Sequence, residues 1–405
     1  MTEKPALWVA LAGVMLFLRV PDWFVRPRLW AEDGNQFFLA AHRDGASALL
    51  LPFAGYLHLV PRLIAWLGER VDPCLIPAVY VYSSFAFTLF VVARVFSSRL
   101  DLPGKPLIAL AIVAVPHTNE VYLNLADLQW IAALSLVLTL LLRDPGDALD
   151  WVGDLVVLFL AGLTGPFSVL LLPFFVFRAL CRSTRASWVI LLLALSTALV
   201  QGWLIYSNPL VMPPDFPRGP FELRNLAAVL SSRVLLALFG AQCWAYRVSR
   251  AFVLVAGAVG FAAIARLAFL KDGFRKERVC MLLIGLAIVV SSVARIRDDL
   301  WDYRDMINGD RYFYIPRILA IWLVSSCLLR VGKWSYPLAL SAAAAGLFAV
   351  SMVPYVEAPD FTRHHVERGY FEWHIYCDRL RAGQEVEIQV SPGWKFIVPS
   401  RPLGK

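Results

Sequence analysis

Long apolar runs separated by short charged joints set the architecture. Residues 6–20, 73–93, 107–116, 128–142, 152–178, 186–206, 227–246, 251–270, 279–294, 313–329 and 336–353 carry few charges. A helix rises about 1.5 Å per residue, so about 20 apolar residues cross a bilayer core. The pattern predicts an all-α polytopic membrane protein of about ten transmembrane helices, roughly 8–12, with broken or re-entrant segments. The segment 46–67 is apolar but holds Pro52, His58, Pro61 and Arg62, which suits a helical hairpin at the interface. The run 152–178 is interrupted by Gly-Leu-Thr-Gly-Pro at 162–166. Two short helices meeting at that break would free backbone groups that need partners, as around a cavity.

The last residues follow another period. Val386, Ile388 and Val390 alternate with Glu385, Glu387 and Gln389; a Ser-Pro-Gly turn then leads into a second strand, Trp-Lys-Phe-Ile-Val. The expected division is a membrane domain over 1–353, with a first non-cytoplasmic loop at 20–72, and a small polar, β-containing, non-cytoplasmic tail over 354–405. Basic loops at 94–105, 178–185, 271–278 and 330–333 favour the cytoplasm, and Lys4 puts the start of the chain there too. Three runs lie between 185 and 271, which would set two of those loops on opposite sides. Either one of 227–246 and 251–270, interrupted by Arg233 and Arg266, does not cross fully, or one basic loop breaks the rule.

Composition narrows the class. The chain is 59% hydrophobic and 17% charged, with mean hydropathy +0.64. Soluble domains have about 45–50% apolar and about 25% charged residues. Disordered chains, coiled coils and small disulfide scaffolds are excluded. The net charge of +8 has no clustered stripe, so membrane lipids are the expected partners and nucleic acid is not. Cysteines at 74, 181, 243, 280, 327 and 377 form no CxxC pair, which suggests neither a zinc site nor a disulfide framework. No Gly-rich phosphate loop, HExxH or GxSxG occurs.

Four places could carry chemistry. Glu32 and Asp33 are adjacent acids just past the first span, where ionised carboxylates are costly and tend to be functional. Only one acid need point into a cleft, while the other orients it or binds a cation. His58 and Arg62 stand four apart on one helix face, suited to proton transfer and phosphate binding. Asn119, Glu120, Asn124, Asp127 and Gln129 crowd a short polar insert between apolar runs, with Asn124 and Gln129 the candidates for binding a polar substrate. Arg311 and Tyr312 sit at the mouth of the span from 313, where an arginine could hold a lipid phosphate. Trp373 and Trp394 of the tail could stack on carbohydrate, although packing is the commoner use of such residues.

One span, a large first loop with an acidic pair and then many spans resemble the GT-C superfamily of membrane glycosyltransferases. The matching residues are Glu32 and Asp33. The runs RLWAEDG, PFAGYLHLVPRLIAW, GLTGPF and GDRYFYIPR, with the Gly-Trp…Pro tail, also resemble a group of bacterial membrane proteins to which no reaction is attached. The GT-C resemblance implies a multi-pass enzyme of the bacterial plasma membrane. It would transfer a sugar, with inversion, from a polyprenyl-phosphate donor to an envelope glycan or lipid acceptor, using a first-loop carboxylate, Asp33 first, as base or as ligand of a divalent ion, Mg²⁺ or Mn²⁺. A transporter or flippase for a lipid-linked or small polar substrate, and a non-catalytic envelope assembly protein, are the alternative readings of the same chain.

Overall fold

The computed structural model describes residues 4–208, 223–240, 244, 247–295, 302–306, 309–328, 343, 345–350, 352, 372–390 and 393–400. It is a multi-pass helical membrane protein. Segments Pro73–Arg94, Arg185–Ser207, Arg250–Ala268 and Arg275–Ala294 are long and apolar enough to cross a membrane. Shorter apolar helices join them: α1 (Pro5–Arg19), α4 (Leu59–Gly68), α6 (Lys105–Ala114) and α7 (Leu128–Leu141). Short helices α2 (Pro21–Val25) and α3 (Leu39–Asp44) belong to the first loop, and α5 (Ile76–Arg94) follows it. The chain continues through α8 (Ala148–Gly162), α9 (Phe167–Arg182), α10 (Arg185–Ser207), α11 (Leu223–Val229), α12 (Arg250–Ala268), α13 (Arg275–Arg295) and α14 (Arg311–Leu328). The tail holds α15 (His374–Arg381), β1 (Val386–Val390) and β2 (Trp394–Val398). Most of the apolar run expected at 336–353, and all of 354–371, lie outside the described residues.

Helix α7 is buried along its length and α6 from Pro106 to Ala114, which their nearly all-round apolar surfaces allow. By contrast α10 and α12 leave Leu192, Leu199, Trp203, Val255 and Val259 exposed, as lipid-facing helices do. Helix α6 stops just before Pro116, and its last carbonyls need donors. Two buried arginines supply them. Arg19 donates to the carbonyls of Val113, Val115 and His117 at 2.9, 2.8 and 3.0 Å, and Arg317 donates to that of Pro116 at 2.8 Å. The non-helical stretch 117–127 can therefore lie wholly inside the protein.

The break between α8 and α9 is filled by the first loop. Leu59 N–H donates to Leu163 O at 3.0 Å, and Gly165 N–H donates to Leu57 O at 2.9 Å. Thr164 Oγ1 accepts from Val60 N–H at 3.0 Å, and the Gln201 amide brackets Leu57 at 2.8 and 3.0 Å. The freed backbone groups of a broken helix thus find protein partners, as hydrocarbon surroundings demand.

The crossing conflict of the sequence resolves between α11 and α12. Helix α11 runs into a π-helix, Leu230–Leu235, and the pair packs parallel to α12. Asn225 meets Arg250, Ser231 meets Gly257 and Leu235 meets Gly260. A Cβ at Gly257 would lie 1.7 Å from Ser231 Oγ, so glycine permits the approach. Two consecutive segments that run parallel carry the chain across once, not twice. The loops 178–185 and 271–278 then share one end, where Phe177 and Arg275 line one groove. Asp144 binds Arg178, Arg182 and Thr184 at this end, and Asp154 binds Arg94 and Arg99.

The tail docks on the opposite end. Strands β1 and β2 form an antiparallel hairpin with Val386 opposite Val398 and Ile388 opposite Phe396. Cys377 is joined to Cys74 by a disulfide, which corrects the expectation that the cysteines form no such link. The pair is 303 residues apart, so no local spacing could have revealed it. Arg381 grips Asp72 with two bonds of 2.8 Å, and the Trp373 indole N–H donates to Pro73 O at 2.7 Å. Trp373 is thus a packing residue here.

Candidate functional site

The acidic pair opens a π-helix, Asp33–Phe38, in the first loop. Asp33 is fully buried. Its Oδ1 accepts from the N–H groups of Leu125 and Ala126 at 3.0 and 2.9 Å, and its Oδ2 from Trp30 N–H at 3.3 Å. It therefore fastens the first loop to the buried insert 117–127. Burial pushes its carboxyl up to about 7, against the opposing pull of the three N–H donors. Gly34 leaves room for the tail: a Cβ there would lie 2.3 Å from the Phe396 ring. Phe38 in turn meets Phe396 and Trp373 edge-on, at 6.0 and 5.7 Å between ring centres.

Glu32 turns to a charged cluster. It lies in electrostatic range of Arg311, Glu120 and Asp127; burial raises its carboxyl and Arg311 opposes the rise. Arg311 pairs with Glu120, and its Nε is 3.8 Å from Asp127. Among the paired side chains Arg311 is 31% exposed, whereas Glu120 and Asp127 are 6% exposed each. Of the three, the arginine keeps the most exposed side chain.

Trp130 and Tyr312 connect this cluster to a cleft. The Trp130 indole N–H donates to Asp127 at 3.2 Å, its ring meets that of Tyr312 at 5.2 Å, and the Arg311 guanidinium carbon is 5.2 Å from the same tyrosine ring. The cleft is about 250 Å³ and lies between α7, α9, α13 and α14. Phe167, Leu170 and Ile288 give it apolar walls; Gln129, Ser291, Ser292 and Tyr312 supply polar groups. The Gln129 side-chain oxygen has no hydrogen-bond partner among the described residues. A smaller cavity of about 20 Å³ touches Thr118, Asn119 and Glu120, each with a buried polar atom lacking a partner among the described residues, which suits one water.

Of the expected residues, the structure brings Glu32, Gln129, Arg311 and Tyr312 together. Asn124 instead closes a turn, donating to the carbonyls of Glu120 and Tyr122 at 2.7 and 3.1 Å and accepting from Asp127 N–H at 2.8 Å. His58 and Arg62 pack around Phe37: the imidazole lies among the rings of Phe37, Phe53 and Tyr56, and Arg62 donates to Gln36 O at 3.5 Å. Glu120, Asp127 and Trp130 complete the cluster. For Glu120 and Asp127 the density of polar residues between two apolar runs is the sequence signal; Trp130, inside the second run, has none. Among the described residues no group of three or more His, Cys, Asp or Glu is arranged to hold a metal ion, and Arg311 already pairs with Glu120 in the acidic cluster. These donors do not fit a Mg²⁺ or Mn²⁺ site.

No family model, curated protein or solved structure matches the chain. The GT-C likeness rests on the residues quoted for it.

Proposed function

We propose that the protein transfers a sugar from a polyprenyl-phosphate donor to an envelope glycan or lipid acceptor, with inversion. The observation that carries this reading is one partly exposed arginine among buried carboxylates, beside an amphipathic cleft between membrane helices. Arg311 holds the donor phosphate as a charge-assisted pair, and the isoprenoid lies along the apolar walls of α9 and α13. The acceptor hydroxyl gives its proton to Glu32 as its oxygen attacks the anomeric carbon. The bond from that carbon to the phosphate oxygen breaks, and the lipid phosphate leaves with the electron pair, stabilised by Arg311. A single displacement inverts the centre. Asp33 is a positioning residue, because both of its oxygens already accept backbone N–H bonds.

The site end is proposed to face away from the cytoplasm in a bacterial plasma membrane. The basic loops 94–105, 178–185 and 271–278 cluster at the other end, and the disulfide of the tail suits an oxidising compartment. The test is a transfer assay on purified protein with a panel of polyprenyl-phosphate sugars. Incorporation that is lost in Glu32→Gln supports the reading; full incorporation by that variant overturns the role of Glu32, and no incorporation from any donor overturns the transferase.

A second reading has its own observation. The helices α9 and α13 line another cavity at the basic end, with Arg275 and Lys276 at its rim. Arg311 of α14 near the cleft at one end of α9 and α13, and Arg275 and Lys276 at the groove at the other, suit a flippase of a lipid-linked substrate. Movement of a labelled polyprenyl-phosphate sugar across vesicles, with the donor bond intact, would decide for it.

A further inference from the structure

The groove at the basic end has a polarity of its own. It measures about 540 Å³ and is walled by Phe174 and Phe177 of α9 and by Val279 and Leu283 of α13. That volume is in the range of about 300–1,000 Å³ seen for small-molecule pockets. Phe177 and Leu283 are each about half exposed, at 50% and 49%, so the groove opens sideways to lipid. Residues 275, 276, 279 and 283 share one stripe at helical spacing, which puts Arg275 and Lys276 at one end of the apolar wall. Both side chains are exposed, and Arg275 lies over the Phe269 ring at 5.6 Å. The nearby Asp272 is committed to Arg278, at 2.6 and 2.9 Å. Glu277 is half-buried and is not part of the groove wall.

Apolar surface along the length and two cations at one end reproduce the shape of a single-headed amphiphile with the opposite charge. We infer that the groove binds one anionic phospholipid of the leaflet at the basic end, its acyl chain against Phe177 and Leu283 and its phosphate between Arg275 and Lys276. Basic pockets between membrane helices hold acidic head groups in this way. The site is separate from the Arg311 cluster and does not rest on the transferase reading.

The test is native mass spectrometry of the full chain in mild detergent, titrated with phosphatidylglycerol or phosphatidylcholine of equal chain length. Each basic side chain adds ~1 kcal/mol of attraction for an acidic lipid, so the Arg275→Gln/Lys276→Gln variant should lose roughly 30-fold in phosphatidylglycerol affinity. Leu283→Trp, which fills the apolar wall, should lower retention with the cations in place. Equal retention of the two lipids by the native protein needs no variant and overturns the proposal. So does unchanged phosphatidylglycerol affinity in the double variant. A lipid-free dimer that is lost in Leu283→Trp assigns the groove to a second copy of the chain and overturns it as well.

Discussion

Replacing Glu32 by Gln keeps the side chain's size and removes its ability to take a proton. General-base catalysis is worth about 10²–10⁴-fold, so transfer should fall at least 100-fold while thermal stability holds. Its neighbour should behave differently. Asp33→Ala strands two fully buried N–H groups, those of Leu125 and Ala126, at about 1–3 kcal/mol each, and the melting temperature should drop. Asp33→Asn keeps one acceptor for that pair and should retain most of the stability. The two acids are thus separated by their readout: activity for one, melting for the other. The pH dependence of Asp33 follows from its raised carboxyl. The folded protein holds this proton more tightly than the unfolded chain, whose carboxyl has the ordinary value of 3.8. Its contribution is complete below about pH 4 and is lost as pH rises towards about 7. Melting temperatures measured across that window should decline with pH, and Asp33→Asn should remove that part of the slope.

The strap 57–59 and the tail hairpin each depend on a few contacts. Gln201 satisfies both backbone groups of Leu57, so Gln201→Leu should destabilise the protein by about 1–3 kcal/mol through a buried orphan pair. Hydrogen exchange at Leu57 and Gly165 would rise with it. Gly34 is the close approach between the acidic π-helix and β2. Gly34→Val should push the hairpin off the first loop, and adding Phe396→Ala should bring it back in part; protease sensitivity of the hairpin reads both outcomes. Cys74→Ser should leave the helices folded and make the tail more sensitive to protease. An unchanged digestion pattern would mean that Arg381, Trp373 and Phe396 hold the tail without the disulfide.

Period and composition make the helices legible because burial in lipid leaves a long apolar trace. The break at 162–166 and both strands follow from Gly, Pro and alternation, whereas the apolar run 227–246 gives no sign that it divides into α11, a π-helix and a short tighter turn, because all three bury apolar residues alike. The site is legible only in part. Glu32 and Arg311 stand out as charges beside apolar runs, but what sets Asp33 apart from Glu32 is a pair of backbone N–H groups 92 and 93 residues away, and no local pattern records that. Long-range pairing hides the Cys74–Cys377 link for the same reason. The orientation of the whole molecule joins these scales. Parallel packing of α11 on α12 puts the loops 178–185 and 271–278 at one end, while the disulfide, the tail and the acidic cluster occupy the other. If the basic end is cytoplasmic, a membrane-impermeant thiol reagent on intact cells should label cysteines introduced at Ser47 or Lys395 and spare those introduced at Arg185 or Lys271. The opposite labelling would place Glu32 on the side of the nucleotide-sugar pool, and a lipid-linked donor would then lose its rationale. Labelling of Arg185 and Lys271 from different sides would refute the single crossing assigned to α11 and α12 together.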